Sequence, residues 1–114
     1  MPYLSRAAID PLRSLGFASI SGTYAAVGVV FAHPVRVICV TNNTDADMFF
    51  SDDGVNNKLF LAANSFKLFD VCTNRDGGVN ETLKFGVGVQ FYVKESTAPS
   101  KGAVYIECIY ASGE

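Results

Sequence analysis

The stretch Ala103-Val-Tyr-Ile-Glu-Cys-Ile-Tyr110 decides the fold class, because its side chains alternate as those of a β-strand do. One face carries four apolar or aromatic side chains: Val104, Ile106, Cys108 and Tyr110. The opposite face is apolar as well, apart from Glu107. A strand with two apolar faces is typical of a central position in a sheet, or of one covered on both sides.

The rest of the chain reads as further short strands separated by turn residues. Residues 89–94 alternate in the same way, and residues 35–40 carry Arg36 as their only charge. Strands are also predicted at residues 14–21, 27–31, 47–51, 59–62 and 66–73. Asn, Asp, Gly and Pro clusters lie between them and predict turns, at residues 21–22, 33–34, 42–45, 52–54, 76–78 and 99–102.

About eight short strands in 114 residues predict an all-β fold, a single-domain antiparallel β-sandwich of the jelly-roll kind. The chain is too short for two domains with a core each. Helical periodicity is weak near the N-terminus, where Pro11 interrupts it. We therefore predict an extended N-terminal arm over residues 1–13 and the sandwich over residues 14–114.

Composition argues against several classes of partner. Nine Lys and Arg against eleven Asp and Glu give a net charge of −2, and the basic residues form no stripe. Nucleic acid and anionic membranes are therefore not expected as partners. The first residues show no secretory signal, so a cytoplasm-like compartment is expected. Cys39, Cys72 and Cys108 are widely spaced and are predicted to be buried thiols rather than a redox pair or metal site.

No enzyme is expected, and no catalytic, cofactor-binding or metal-ligating residue is predicted. The single histidine, His33, precedes Pro34 in a turn, and no nucleophile motif accompanies it. Asp and Asn residues crowd together at positions 45–57, but their order does not match a calcium loop, and the same residues favour tight turns. The glycosylation sequons at residues 42–44 and 80–82 have no meaning without a secretory route.

The chain has more apolar side chains than one sandwich can bury. Mean hydropathy is +0.23, and three segments place bulky residues at adjacent positions, so both faces of those strands are apolar: residues 48–50, 59–61 and 66–69. A second subunit is the simplest cover for the outer faces, and folded-back loops or the arm are the alternative. Interface candidates lie on the arm and on the outer strand faces: Tyr3, Leu4, Arg6, Ile9, Leu12, Phe49, Phe60 and Tyr105. The arm residues are expected to become ordered only on docking.

From about Leu15 onward the sequence resembles small structural proteins of tailed-bacteriophage virions. The resemblance is carried by strand and turn segments rather than by an active-site motif: residues 19–24, 36–45, 50–54, 63–65, 69–70, 91–94 and 104–106. It implies a non-enzymatic β-sandwich in many symmetric copies, made in the host cytoplasm and resident in the virion. The implied partners are further copies of the chain and other virion proteins, such as the major capsid, portal or tail proteins. The resemblance implies no site residues.

Three functions follow as expectations. The first is a capsid decoration protein, and its alternative is a head–tail connector or tail-fibre-anchoring adaptor. The third belongs to another class: a carbohydrate- or ligand-binding sandwich that uses loop residues as contacts, namely Tyr24, Asn43, Asp45, Asp52 and Asp53. A hydrolase built around His33 is the least favoured reading.

Overall fold

The structure is a computed structural model that describes residues 6–70 and 85–112. Its described part holds nine strands and one 3-10 turn, Phe17–Ser19. The strands are β1 Arg6–Ile9, β2 Arg13–Gly16, β3 Ala25–Ala26, β4 Val35–Thr44, β5 Met48–Ser51, β6 Leu59–Leu61, β7 Ser65–Asp70, β8 Tyr92–Glu95 and β9 Gly102–Ser112.

The strands form two antiparallel sheets. In the first sheet β1 and β2 both pair with the same edge of β9, which pairs with β4, which in turn pairs with β7. The second sheet has the order β3-β8-β5-β6. If β1 and β2 are counted as one edge strand, the pairs are nested: first with last, β3 with β8, β4 with β7 and β5 with β6. This nesting is the jelly-roll arrangement, and the predicted all-β sandwich is confirmed.

The core lies between the sheets and follows the predicted alternation. On β9 the side chains of Val104, Ile106 and Cys108 are buried, and β9 has neighbours on both edges, as its two apolar faces indicated. Phe91 and Val93 are buried beside them. The remaining buried apolar side chains come from both sheets and the connection before β4: Ile20, Val27, Phe31, Val35, Ile38, Val40, Ala46, Met48, Phe50 and Leu61.

The boundary between arm and sandwich differs from the prediction. Residues 6–9, which we assigned to an arm that orders on docking, already pair with β9 as β1. Pro11 lies in the break between β1 and β2, which has the geometry of a β-bulge. Ile9 faces Ile109 and Arg13 faces Ile106, so four steps along the edge oppose three along β9. A proline without an N–H is tolerated at such a place, because no ladder bond is required of it.

The bulge turns an ion pair into the interior. Asp10 and Arg13 are each 5% exposed, and Arg13 Nη1 lies 2.8 Å from Asp10 Oδ2. Arg13 also donates from Nε to the Val29 carbonyl (2.7 Å) and from Nη2 to the Val30 carbonyl (3.0 Å). Its guanidinium lies 4.9 Å from the centre of the Phe31 ring. The pair therefore fastens the edge of the first sheet to the segment that follows β3.

Two local predictions are wrong because the hydrogen-bond partners that decide the structure of these segments are distant along the chain. Residues 27–31, predicted as a strand, lie after β3; Val27 and Phe31 each donate one backbone bond, to Phe91 and Val89. Asn42 and Thr44, predicted in a turn, are buried at the end of β4. Asn42 Nδ2 donates to the carbonyls of residues 46, 61 and 62, and its Oδ1 accepts from Thr44. Tertiary partners make these polar residues compatible with a strand.

Candidate interaction surface

The outer face of the first sheet is built from three cross-strand rows. The strand register places Ile9, Ile109, Val37 and Asp70 in the first row. The middle row holds Glu107, Cys39 and Leu68. The third row holds Tyr105, Thr41 and Phe66, with Ser14 at its end. We call these eleven residues the first outer face.

The first outer face is apolar and open to solvent. Ile9 is 79% exposed, Phe66 65% and Leu68 60%, and Ile109 is also exposed. Val37, Cys39 and Tyr105 are half-buried. Isolated exposed apolar side chains are ordinary, but a contiguous patch of this kind on one sheet indicates an interaction surface.

A shallow depression of about 240 Å³ lies in this face beside the bulge of the edge strand. Its walls are apolar except for one carboxylate: Ile9, Val37, Cys39, Leu68, Glu107, Cys108 and Ile109. The depression is next to the bulge because β1 and β2 separate there, and only Asp10 keeps a backbone bond to Cys108 (3.0 Å).

The predicted interface residues divide between both outer faces. Ile9 and Tyr105 lie on the first outer face, Leu12 is exposed in the adjoining bulge, and the backbone of Arg6 lies in β1. Tyr3 and Leu4 lie outside the described residues. The prediction missed Val37, Phe66 and Leu68. The signal for the last two was present, since residues 66 and 68 of one strand must share a face.

Phe49 and Phe60 lie on the outer face of the second sheet, in one row that crosses all four strands. Phe60 pairs with Phe49, which pairs with Lys94, and Tyr24 precedes β3 at the same level. The Phe49 and Phe60 rings are 5.5 Å apart, and Lys94 Nζ lies 5.0 Å from the Tyr24 ring centre and 6.0 Å from that of Phe49. We call these four residues the second outer row. The aromatic rings of this row thus have a cation–π partner, Lys94, within the chain.

The connection from β5 to β6 covers the neighbouring part of the second sheet. Ser51 is buried beneath it, and Gly54 approaches the Tyr92 ring, where an added Cβ would lie 3.5 Å from the ring atoms. The φ of +73° at Gly54 suits glycine. Tyr24 donates a hydrogen bond to Asn57 at the end of this connection. The β5–β6 connection therefore covers this part of the outer face of the second sheet.

The acidic loop residues stabilise their own turns. Asp53 accepts bonds from Ser51 Oγ (2.6 Å) and from the N–H groups of residues 55 and 56, and these bonds hold the pKa of Asp53 well below its usual value. Asp45 accepts bonds from the Ser100 hydroxyl and N–H, which lower its pKa as well. Among the described residues no cluster of His, Cys, Asp and Glu side chains could hold a metal ion.

The residues suggested for carbohydrate or ligand binding do not form one site. Asn43 and Asp45 lie at the β4–β5 connection, whereas Asp52 and Asp53 follow β5 at its opposite end. Tyr24 belongs to the second outer row, and Asp52 is paired with Lys58 at 3.0 Å. The loops thus offer self-contained turns rather than a convergent set of free polar groups.

Within the described part of the chain, His33, Cys39 and Cys108 lie in three different environments. The His33 ring stacks on Tyr110, with ring centres 4.0 Å apart, and forms no hydrogen bond with any other described residue. Cys108 is buried as predicted, and desolvation raises its pKa to about 11, which keeps the thiol protonated. Cys39 is only half-buried, on the first outer face, so its predicted burial is corrected. Cys72 lies outside the described residues.

A second cavity, of about 130 Å³, opens between the two sheets. Four apolar side chains line it, namely Leu59, Phe69, Phe85 and Phe91, with Ser51 and the Asp52–Lys58 ion pair beside them. Phe69 and Phe85 flank the segment 71–84, which lies outside the described residues. Leu59, Phe69, Phe85 and Phe91 also pack against the hydrophobic core or belong to it.

Comparison with known proteins finds no relative of the chain. No model of a protein family matches it, and no curated protein and no solved structure does so either. In the described part of the chain no helix has the length and apolarity to cross a bilayer. Fold and surface together define a jelly roll in which no described loop covers the mostly apolar outer face of the first sheet.

Proposed function

We propose that the protein is a non-enzymatic structural component of a bacteriophage virion, assembled in many symmetric copies as a capsid decoration protein. A head–tail connector or tail-fibre adaptor is the alternative position within the same class. The first outer face is the observation that carries the proposal, since a rigid sheet with exposed Ile9, Phe66 and Leu68 suits docking to another protein. The resemblance of the sequence to phage structural proteins supplies the biological setting.

Repetition lets a surface of modest size bind firmly. Each copy contributes one apolar sheet face, and docking on a lattice or ring places many such faces on one particle. Contacts between neighbouring copies then make binding multivalent, so that no single contact needs high affinity. A rigid jelly roll also loses little conformational entropy when it docks, because β1 and the bulge are already ordered against β9.

Quantitative mass spectrometry of purified particles of the phage that encodes the chain tests the proposal. Hundreds of copies per particle are expected for decoration, whereas a ring of about six or twelve copies indicates an adaptor. Absence of the chain from purified particles would overturn the virion role.

A thiol footprint tests which surface docks. In a Cys72→Ser background, Cys39 is the accessible thiol of the first outer face. We expect a maleimide to label Cys39 in the free protein and to leave it unlabelled in the particle. A cysteine placed at Val55, which is exposed outside the first outer face, serves as the matched control and should be labelled in both states. Equal labelling of Cys39 in both states would exclude this face as the docking surface.

A further inference from the structure

Glu107 is the central charge of the first outer face. It lies on β9 between Tyr105 and Ile109 and shares the middle row with Cys39 and Leu68. The side chain is exposed in the single chain. Among the described residues, the register places no lysine or arginine in the three rows. Arg36, the extra residue of the irregularity in β4, lies next to the first row and has an interaction of its own.

Covering the face places this carboxylate in a dry environment. Burying an unpaired charge is costly, by several kcal/mol even after relaxation, so a partner that covers Glu107 must supply a cation. The depression beside Glu107 could accommodate such a cation. Its apolar walls suit the methylene stem of a long basic side chain, and Glu107 is the charged residue among those that line it.

A second copy in a face-to-face, two-fold arrangement does not meet this requirement. Such a dimer sets the same face against itself, so that each Glu107 meets an acidic surface without a cation among the three rows. Like charges buried together disfavour association. Charge therefore argues for a different protein as the occupant.

We propose that the first outer face binds an apolar segment of another protein that carries one Lys or Arg side chain, seated in the depression against Glu107. The inference rests on the proposed docking role and adds the chemistry of the partner. The apolar rows supply contact area, and the pair with Glu107 selects the register and rejects partners with an acidic or apolar residue at that point.

A random twelve-residue peptide library displayed on yeast is the probe. The immobilised targets are the wild-type protein, Glu107→Gln and Glu107→Lys, and the library is first depleted on Leu68→Asp. Residues 68 and 107 are both exposed, so the variants are expected to fold, and thermal unfolding verifies this.

Peptides selected on the wild type are expected to carry a Lys or Arg between apolar residues. Their affinity should fall about tenfold on Glu107→Gln and further on Glu107→Lys, which should itself select acidic peptides. Selected peptides without a basic residue, equal affinity for Glu107→Gln, or no enrichment over Leu68→Asp would each overturn the inference.

The test of the basic partner can fail without the test of the docking role failing. Protection of Cys39 in particles together with an absence of charge preference would leave the virion role standing and remove the basic partner. Concentration-dependent dimerisation of the pure protein with protection of Cys39, measured by sedimentation and maleimide labelling, would make a second copy the occupant and would also overturn the inference.

Discussion

The two outer faces of the sandwich differ in what covers them. On the second sheet, Lys94 lies between Tyr24 and Phe49, and the β5–β6 connection folds over Ser51 and Tyr92. On the first sheet, mostly apolar side chains stand in three rows, with Glu107 in the middle row, and no described loop lies over them. Both faces come from strands with bulky side chains at adjacent positions. Loops and charges, rather than hydrophobicity, therefore distinguish the two faces.

The bulge at Asp10–Arg13 offers the largest disruption of the first face. Arg13→Met leaves Asp10 buried without a partner, and we expect the free energy of unfolding to fall by about 3–5 kcal/mol. Denaturant titration followed by circular dichroism measures this. The double variant Asp10→Leu/Arg13→Met should be more stable than Arg13→Met alone, because no buried charge remains. A double variant as unstable as the single one would show that the bonds from Arg13 to Val29 and Val30 matter more than the ion pair.

Substitutions on the two faces should separate stability from assembly. Phe49→Ser removes the contact with Phe60 and one ring beside Lys94, and should cost about 1–2 kcal/mol of stability. Leu68→Ser, on the exposed first face, should change stability by less than about 0.5 kcal/mol but abolish incorporation into particles. Thermal unfolding and particle incorporation are the two measurements. Equal destabilisation by both variants would mean that the first face is not a surface reserved for a partner.

Thiol reactivity compares the exterior of the first sheet with its interior. Between about pH 7 and 9, Cys39 should react with an uncharged maleimide in the folded protein, whereas Cys108 should react only on unfolding. The raised pKa of Cys108 means that the folded state favours its protonated form. Its contribution to stability is therefore complete below the ordinary thiol pKa and is lost as the unfolded chain ionises above it. Rapid native labelling of Cys108 would contradict its burial under the bulge.

The cover of the second sheet should persist in acid. The bonds from Ser51 and residues 55 and 56 lower the pKa of Asp53, so their stabilising effect is present above the ordinary Asp pKa of about 3.9 and is lost only as pH falls through the lower folded value. Nuclear magnetic resonance shifts of Gly54 and Tyr92 should stay constant down to about pH 3.9. Ser51→Ala, which removes the largest cause, should move the Asp53 titration to higher pH. An Asp53 that titrates normally would show that the loop is open.

Much of the fold was readable from period-two patterns, and the rest depended on distant partners. Residues 103–110 and 89–94 show their inner faces directly, since burial follows alternation. The jelly-roll nesting needs the pairing of β1 with β9, which local sequence does not report. Asn42 looked like a turn residue because the carbonyls that it binds belong to residues 46, 61 and 62. Arg13 was assigned to the extended arm because the carbonyls that it binds, those of Val29 and Val30, lie in another segment.

The candidate surface, too, was predictable in part from local alternation and in part depended on distant strands. The alternation of residues 66 and 68 predicts that one face of their strand is apolar. Only the strand register places Ile9, Val37 and Glu107 on the same face. Cys39 was expected to be buried because free thiols usually are. It lies half-buried on the outer face instead, because its position on β4 alternates with the inward-facing Ile38 and Val40.

Sequence alone determined that this chain forms short strands with an apolar interior and a surplus of apolar side chains, because side-chain periodicity and composition are local properties. Tertiary structure decided how the described residues cover the two outer faces. That outcome depends on a bulge, a folded-back loop and one lysine between two rings, each of which acts across long separations along the chain.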